Sequence, residues 1–187
     1  MPLYKIPKKY QDPIDNVLYD LADFISPTLK NIGITPNMIT TIGFSIGLIA
    51  AYLFYKDQYT VSSLLLLISI FFDSLDGHMA RKYNLGSEFG KYYDMSTDII
   101  RTFTLYYIMY LKNRIKFYKI FILSALFFIF SLSHLTCQQK ELKEKHYVYD
   151  KIQFLCYSKK SMLITRYFGS VMFCFLLSFL IFTWKQP

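Results

Sequence analysis

Apolar residues in this chain are gathered into runs as long as a bilayer is thick, and the charged residues fall in the gaps between them. A water-soluble core asks only for an apolar face that recurs with the helical or strand period. Lipid asks for a continuous apolar segment of about 20 residues rising 1.5 Å each. The runs here are Met38 to Tyr55, then Tyr59 to Phe72, which continues as helix into Asp73-Ser74-Leu75-Asp76. A third helix is expected from Glu88 to Leu111, polar in its first turns and apolar after them. A basic turn, Lys112 to Lys119, leads to a fourth run ending near Leu135, and a last run covers Tyr167 to Trp184. Those are five spans. A sixth within Tyr147 to Ile164 is opposed by Lys151, Lys159 and Lys160. The expected fold is therefore an all-α integral membrane bundle of five to six transmembrane helices.

Composition excludes the soluble alternatives. Hydrophobic residues make up 53% of the chain and charged residues 18%, where a soluble domain carries about 25% charge. A net charge of +8 raises nucleic acid as a partner. The cations, however, flank the apolar runs, where membrane topology and anionic headgroups account for them, so no nucleic-acid partner is expected. With the N-terminus, residues 73–91 and residues 138–166 on one side, that side holds 14 Lys and Arg against 6 in the remaining loops and tail, Arg101 lying inside a span. The richer side is expected to face the cytoplasm.

The chain divides into an N-terminal juxtamembrane segment, residues 1–36, and a transmembrane domain, residues 37–187, without internal repeats. In the first, Ile14, Val17, Leu18, Leu21, Phe24 and Ile25 recur at helical spacing, with Pro13 near the start and Pro27 near the end. With Lys5, Lys8 and Lys9 before it, this stripe suits an amphipathic helix on a membrane surface; an amphipathic helix packed on the protein itself gives the same pattern. The polar, Lys-rich start, Tyr4 to Asp15, does not have the form of a cleavable signal peptide. Cys137, Cys156 and Cys174 are widely spaced, form no CxxC pair and are expected as free thiols.

The chemistry is concentrated around the turn between the second and third spans. Asp73 and Asp76 are three residues apart, Asp94 and Asp98 four apart, so on helices each pair shares a face. The first pair closes one helix and the second opens the next, and a helical hairpin brings all four carboxylates together. Left bare beside lipid they repel one another and are costly to bury. Divalent cations remove that cost, and an all-oxygen set selects Mg²⁺, Mn²⁺ or Ca²⁺ over zinc. Gly77, Ala80 and Gly90 permit close approach of a ligand or a neighbouring helix. Arg81 adds a fixed planar fork suited to phosphate oxygens. His134 and Cys137 share a helical spacing but are too few for a metal site.

The segment Asp73-Ser-Leu-Asp76-Gly77-His-Met-Ala80-Arg81, eight residues, Gly90, three residues, Asp94, three residues, Asp98 resembles the signature of the CDP-alcohol phosphotransferase family, matching at every defining position. Thr35-Pro36-Asn37 before the first span, with Thr40 after it, is similar to that family's approach to its first helix. The resemblance covers residues 34–100 by motif and the remainder by hydropathy. It implies an integral membrane enzyme, often dimeric, that takes a CDP-activated lipid donor and a small alcohol acceptor and releases CMP. It implies two divalent cations, Mg²⁺ or Mn²⁺, held by Asp73, Asp76 and Asp94, with Asp98 as catalytic base and also in the metal shell. Gly77, Ala80 and Arg81, with Asp73, would line the cytidine and pyrophosphate site; Ser87 would touch a phosphate and Asn37 the nucleotide. The run from Asp76 to Asp98, with Asn84, Gly86 and Phe89, is similar to phosphatidylinositol synthases. Ile99, however, stands where Arg often follows the last Asp there, and Ser87-Glu88-Phe89-Gly90 is similar to phosphatidylserine synthases. The acceptor expected is inositol or a related polyol. Two rival readings are a cation carrier or scaffold built on the same carboxylates, and a degenerate member that binds CDP-lipid without turnover.

Overall fold

The computed structural model describes residues 8–142, 154, 156 and 158–184, which are helical with no strand. A 3₁₀ turn, Lys8–Tyr10, precedes α1 (Pro13–Asn31), α2 (Pro36–Tyr55), α3 (Tyr59–Lys82), α4 (Glu88–Lys112) and α5 (Arg114–Leu142). After the undescribed residues come a 3₁₀ turn (Lys159–Ser161), the single-turn α6 (Met162–Thr165), a further 3₁₀ turn (Arg166–Phe168) and α7 (Ser170–Phe182).

Local chemistry sets these boundaries. Proline is the first residue of α1 and of α2, where its missing N–H costs nothing. Asp12 and Thr35 cap those helices by accepting from the Ile14 and Met38 amides. Helices α1, α2 and α3 each stop at a residue in the left-handed region, Gly33, Asp57 and Asn84. The next amides, of Ile34, Gln58 and Leu85, reach back to the carbonyls of Leu29, Leu53 and Ala80. These compact stops keep the connections short and the helices antiparallel.

Among the described residues three helices are long and apolar enough to cross a bilayer: α2, α3 and residues Arg114–Gln138 of α5; Met162–Phe168 with Ser170–Phe182, bent by 43°, make a fourth if the pair is one broken span. Helix α4 is long enough but less apolar, because its first half carries Glu88, Lys91, Asp94, Asp98 and Arg101. It nonetheless runs the length of the bundle: its last residue, Lys112, pairs at 2.5 Å with Asp57 in the turn between α2 and α3, at the end opposite its own start. Lipid-length helices with Phe103, Tyr107, Ile122, Leu123 and Phe128 exposed along their outer faces make this an integral membrane protein.

Small residues and serines knit the interior. A Cβ on Gly43 would lie 2.8 Å from the Phe72 Cβ, so α2 and α3 meet almost backbone to backbone. Ser62 donates to the Ala50 carbonyl, Ser69 to that of Gly43 and Ser178 of α7 to that of Ser63. Phe54, Leu66, Met109, Ile181 and Trp184 fill the main core between α2, α3, α4 and α7.

Four expectations are corrected. Pro27 lies inside α1 rather than at its end. The Asp23 carbonyl, which loses its helical donor to the proline ring, receives the Lys82 ammonium at 3.2 Å. The basic stretch 112–119 is helix rather than turn, the break being confined to Asn113, whose Oδ1 caps α5 by accepting from the Lys116 amide. The last run is broken at Gly169, where a Cβ would collide with Asp12 Oδ2. That same Asp12 oxygen accepts from the Met172 amide, so one carboxylate fixes the starts of α1 and α7. Cys137 and Cys156 are not free thiols: they form a disulfide, and Cys174 alone is free. Spacing could not show this, because the stretch between them, a separation of 19 positions, carries no regular pattern. Lys5, Lys143 to Lys145 and most of the stretch proposed for a sixth span lie outside the described residues.

The amphipathic stripe of α1 splits in two. Ile14, Leu18, Ala22 and Ser26 turn inward, while Val17, Leu21 and Phe24 remain exposed.

Candidate active site

The end of α3 and the start of α4 bring three of the four aspartates together. Oxygens of Asp73, Asp94 and Asp98 all lie within 4.8 Å of one another. Two helix faces produce this: Asp94 and Asp98 are stacked one turn apart on α4, and Asp73 faces them from α3. Asp76 is buried and sits differently, its Oδ2 accepting a hydrogen bond from the Thr40 hydroxyl of α2. A small pocket at this place is lined by Asp73, Asp76 and Asp98 together with Thr40, Ser69 and Arg101.

The donor set suits a divalent cation. Every candidate ligand atom is a carboxylate oxygen, as Mg²⁺ and Mn²⁺ require. Asp94 Oδ1 is buried and has no hydrogen-bond partner among the described residues. A buried carboxylate oxygen left unpaired is expensive, and a cation in the Asp73–Asp94–Asp98 cluster would satisfy it.

Arg81 lies one turn beyond Gly77, and a Cβ there would be 3.2 Å from its Nη1, so the guanidinium folds over the bare backbone. Its Nη2 donates to the Tyr19 hydroxyl of α1 at 2.9 Å. Burial pushes the Tyr19 hydroxyl up to about 12, so it stays protonated and serves Arg81 as a neutral acceptor. Ala80 is half-buried in the same turn. Gly90 is packed against α2: a Cβ would sit 2.9 Å from Asn37 Oδ1 and 3.0 Å from Ser87 Oγ. Ser87 Oγ is engaged as the cap of α4, accepting from the Gly90 amide at 2.9 Å.

His78 faces away from the aspartates, buried against α1 with its Nε2 3.3 Å from Asp23 Oδ1. His134 and Cys137 share no function: Cys137 is in the disulfide, and His134 is bracketed by Thr165 at 3.0 Å and Gln138 at 2.9 Å.

Two site residues received no role from the sequence, and only one of them left a signal there. Tyr19 belongs to the segment read only for its amphipathic stripe, and nothing there links it to Arg81. Arg101 stood out as the one cation inside a span, and that was its signal: it closes the aspartate cluster from the lipid side, 2.5 Å from Asp98 Oδ1. On the other side of Arg81 lies a polar cavity of about 200 Å³ between α1, α5 and the start of α7, lined by Gln11, Asp12, Asp15, Ser131, His134 and Gln138.

The family model described as CDP-alcohol phosphatidyltransferase matches residues 33–184. Among curated proteins, an archaetidylinositol phosphate synthase of Pyrococcus horikoshii is 38% identical over 96 residues, covering 51% of this chain and 47% of that protein. The inner membrane protein YnjF of Escherichia coli is 34% identical over 68 residues, 36% of this chain and 32% of its own length. An uncharacterized protein of Aquifex aeolicus is 35% identical over 65 residues, 35% and 33% of the two chains. The matches thus span half or less of these relatives.

Proposed function

This chain belongs to the CDP-alcohol phosphatidyltransferase family, and from that premise we propose that it transfers a phosphatidyl or related phosphoalcohol group from a CDP-activated lipid to an acceptor alcohol, releasing CMP. The observation that carries the reading is the convergence of Asp73, Asp94 and Asp98 beside Arg81 and Gly77 at one end of the bundle. Asp73, Asp76, Asp94 and Asp98 would hold two divalent cations, Mg²⁺ or Mn²⁺. When bound, these neutralise the pyrophosphate of the donor.

The chain's own residues supply position and proton transfer. Arg81, held by Tyr19, presents its fork to phosphate oxygens over the open backbone at Gly77 and Ala80. Asn37 and Ser87 meet at Gly90, and in this reading Asn37 would face the nucleotide and Ser87 a phosphate. Asp98 accepts the proton of the acceptor hydroxyl. The freed oxygen forms a bond to the phosphorus distal to cytidine, and the bridging P–O bond breaks with its electron pair leaving on CMP.

The acceptor is inositol or a related polyol. The Pyrococcus relative's name supports this, as does a cavity next to Arg81 lined by hydroxyl, amide, imidazole and carboxylate groups suited to several hydroxyls. The aspartate end faces the cytoplasm, on the count of 14 Lys and Arg against 6. Residues 1–36 form a juxtamembrane unit ahead of the transmembrane domain, and a homodimer belongs to the same reading.

The test is CMP release by purified protein given CDP-diacylglycerol, Mg²⁺ or Mn²⁺ and a panel of alcohols, with Asp98→Asn as control. Release with a polyol, lost in Asp98→Asn while nucleotide binding persists, is the expected result. No release with any acceptor would overturn the function, and full activity in Asp98→Asn would overturn the base.

A further inference from the structure

An arginine in a lipid-crossing helix needs a reason, because burying its charge is costly. Arg101 is 6% exposed, yet both of its terminal nitrogens have partners. Its Nη2 lies 2.5 Å from Asp98 Oδ1 and 3.6 Å from Asp73 Oδ1. Its Nη1 donates to Ser69 Oγ at 3.0 Å, and Ser69 in turn donates to the Gly43 carbonyl at 2.8 Å. The stem of the side chain lies on Gly47, where a Cβ would be 2.6 Å from Arg101 Cδ and 2.9 Å from Ser69 Oγ. Residues of α2, α3 and α4 thus form a fitted slot for one guanidinium, aimed at the aspartate cluster from its lipid side.

We propose that Arg101 is a positioning residue with two effects: its fork fixes the orientation of the Asp98 carboxylate, and its charge offsets one of the four aspartates and so weakens cation binding. The planar fork does the first, since it commits Asp98 Oδ1 and Ser69 Oγ at fixed angles. The charge does the second: removing Arg101 makes the site, four carboxylates with Arg81 unchanged beside them, more negative by one formal charge towards an incoming ion. The two effects separate on substitution. A residue that merely fills space would, when replaced, loosen the site and weaken cation binding and turnover together.

The proposal rests on the transferase reading for turnover, while its cation half does not. Detergent-solubilised protein is titrated with Mn²⁺ alone, reading the rise in unfolding temperature, and kcat and KM for CDP-diacylglycerol are measured by CMP release. Arg101→Gln is expected to lower the Mn²⁺ midpoint about 10-fold while kcat falls roughly 10-fold or more, with KM within about 3-fold. Arg101→Lys keeps the charge and loses the fork, so the midpoint stays at the wild-type value and kcat still falls. An unchanged or raised midpoint in Arg101→Gln, or wild-type kcat in either variant, overturns the proposal. If Arg101→Gln is not recovered folded, Arg101→Lys and Ser69→Ala decide: wild-type kcat in Arg101→Lys or a shifted midpoint in it refutes, and reduced kcat in both with an unmoved midpoint supports. If the protein releases no CMP under any condition, the transferase reading fails, and the Mn²⁺ midpoint of Arg101→Gln still tests the charge effect.

Discussion

Asp76 is the most enclosed of the four aspartates, 4% exposed, and its nearest polar neighbour is the Thr40 hydroxyl. Thr40 has one proton, and both the Asp76 carboxylate and the Pro36 carbonyl, 3.2 Å away, are within its reach. A buried carboxylate whose donor is removed bears the full cost of the unmade bond, about 1–3 kcal/mol. Thr40→Val keeps the shape and deletes the donor, so it should destabilise the metal-free protein by about that amount, and Thr40→Ser should restore most of it. A divalent cation at the neighbouring carboxylates compensates the same charge, so the loss in Thr40→Val should shrink on adding Mn²⁺. Unfolding temperatures of the three proteins with and without Mn²⁺ measure this; a deficit unchanged by Mn²⁺ would separate Asp76 from the metal site.

At the scale of the elements, two glycines of similar crowding should behave in opposite ways. At Gly90 the nearest atom in the way is the tip of Asn37, which can swing aside, while the capping Ser87 Oγ at 3.0 Å needs to give by only a few tenths of an ångström and can keep its bond. Alanine also forms helix about 1 kcal/mol better than glycine, so Gly90→Ala should fold at least as well as wild type while displacing the Asn37 amide and raising KM for the donor. At Gly43 the obstacles are the Phe72 Cβ at 2.8 Å and the Ser69 carbonyl at 3.4 Å, neither of which moves without its helix. Gly43→Ala should therefore cost about 1–3 kcal/mol, read as a lower unfolding temperature beside an unshifted one for Gly90→Ala. The contrast also marks how far the sequence was legible. Gly90 stands in the signature and could be assigned close packing from its place there, and the aspartate pairs could be put on two facing helices from spacing alone. Gly43 and Gly47 carry no such label: their crowding is set by α3 and by the Arg101 side chain, which only the tertiary arrangement brings to them. Pro27 misled for a related reason, because the cation that rescues its unpaired carbonyl, Lys82, lies on another helix.

For the molecule as a whole, hydropathy gave the crossings and local cap chemistry gave their ends, whereas the tie at the far end of α5 depends on contacts between distant parts of the chain. Cys137 lies in the last turns of α5 and Cys156 just before the turn that leads to α6, and both pack with Met162 and Tyr10. Closing a loop of about this length removes freedom from the unfolded chain worth about 3 kcal/mol. The link also fixes α5 where His134 and Gln138 form a wall of the polar cavity. Two cysteines in one bond act as a unit, so Cys137→Ser and Cys156→Ser should each lower the unfolding temperature by several degrees, and the double variant by no more than either alone. Three independent thiols would instead give additive effects. Thiol titration of denatured protein decides directly: one reactive group, Cys174, before reduction and three after it is expected, and three before reduction would remove the bond together with the stability assigned to it.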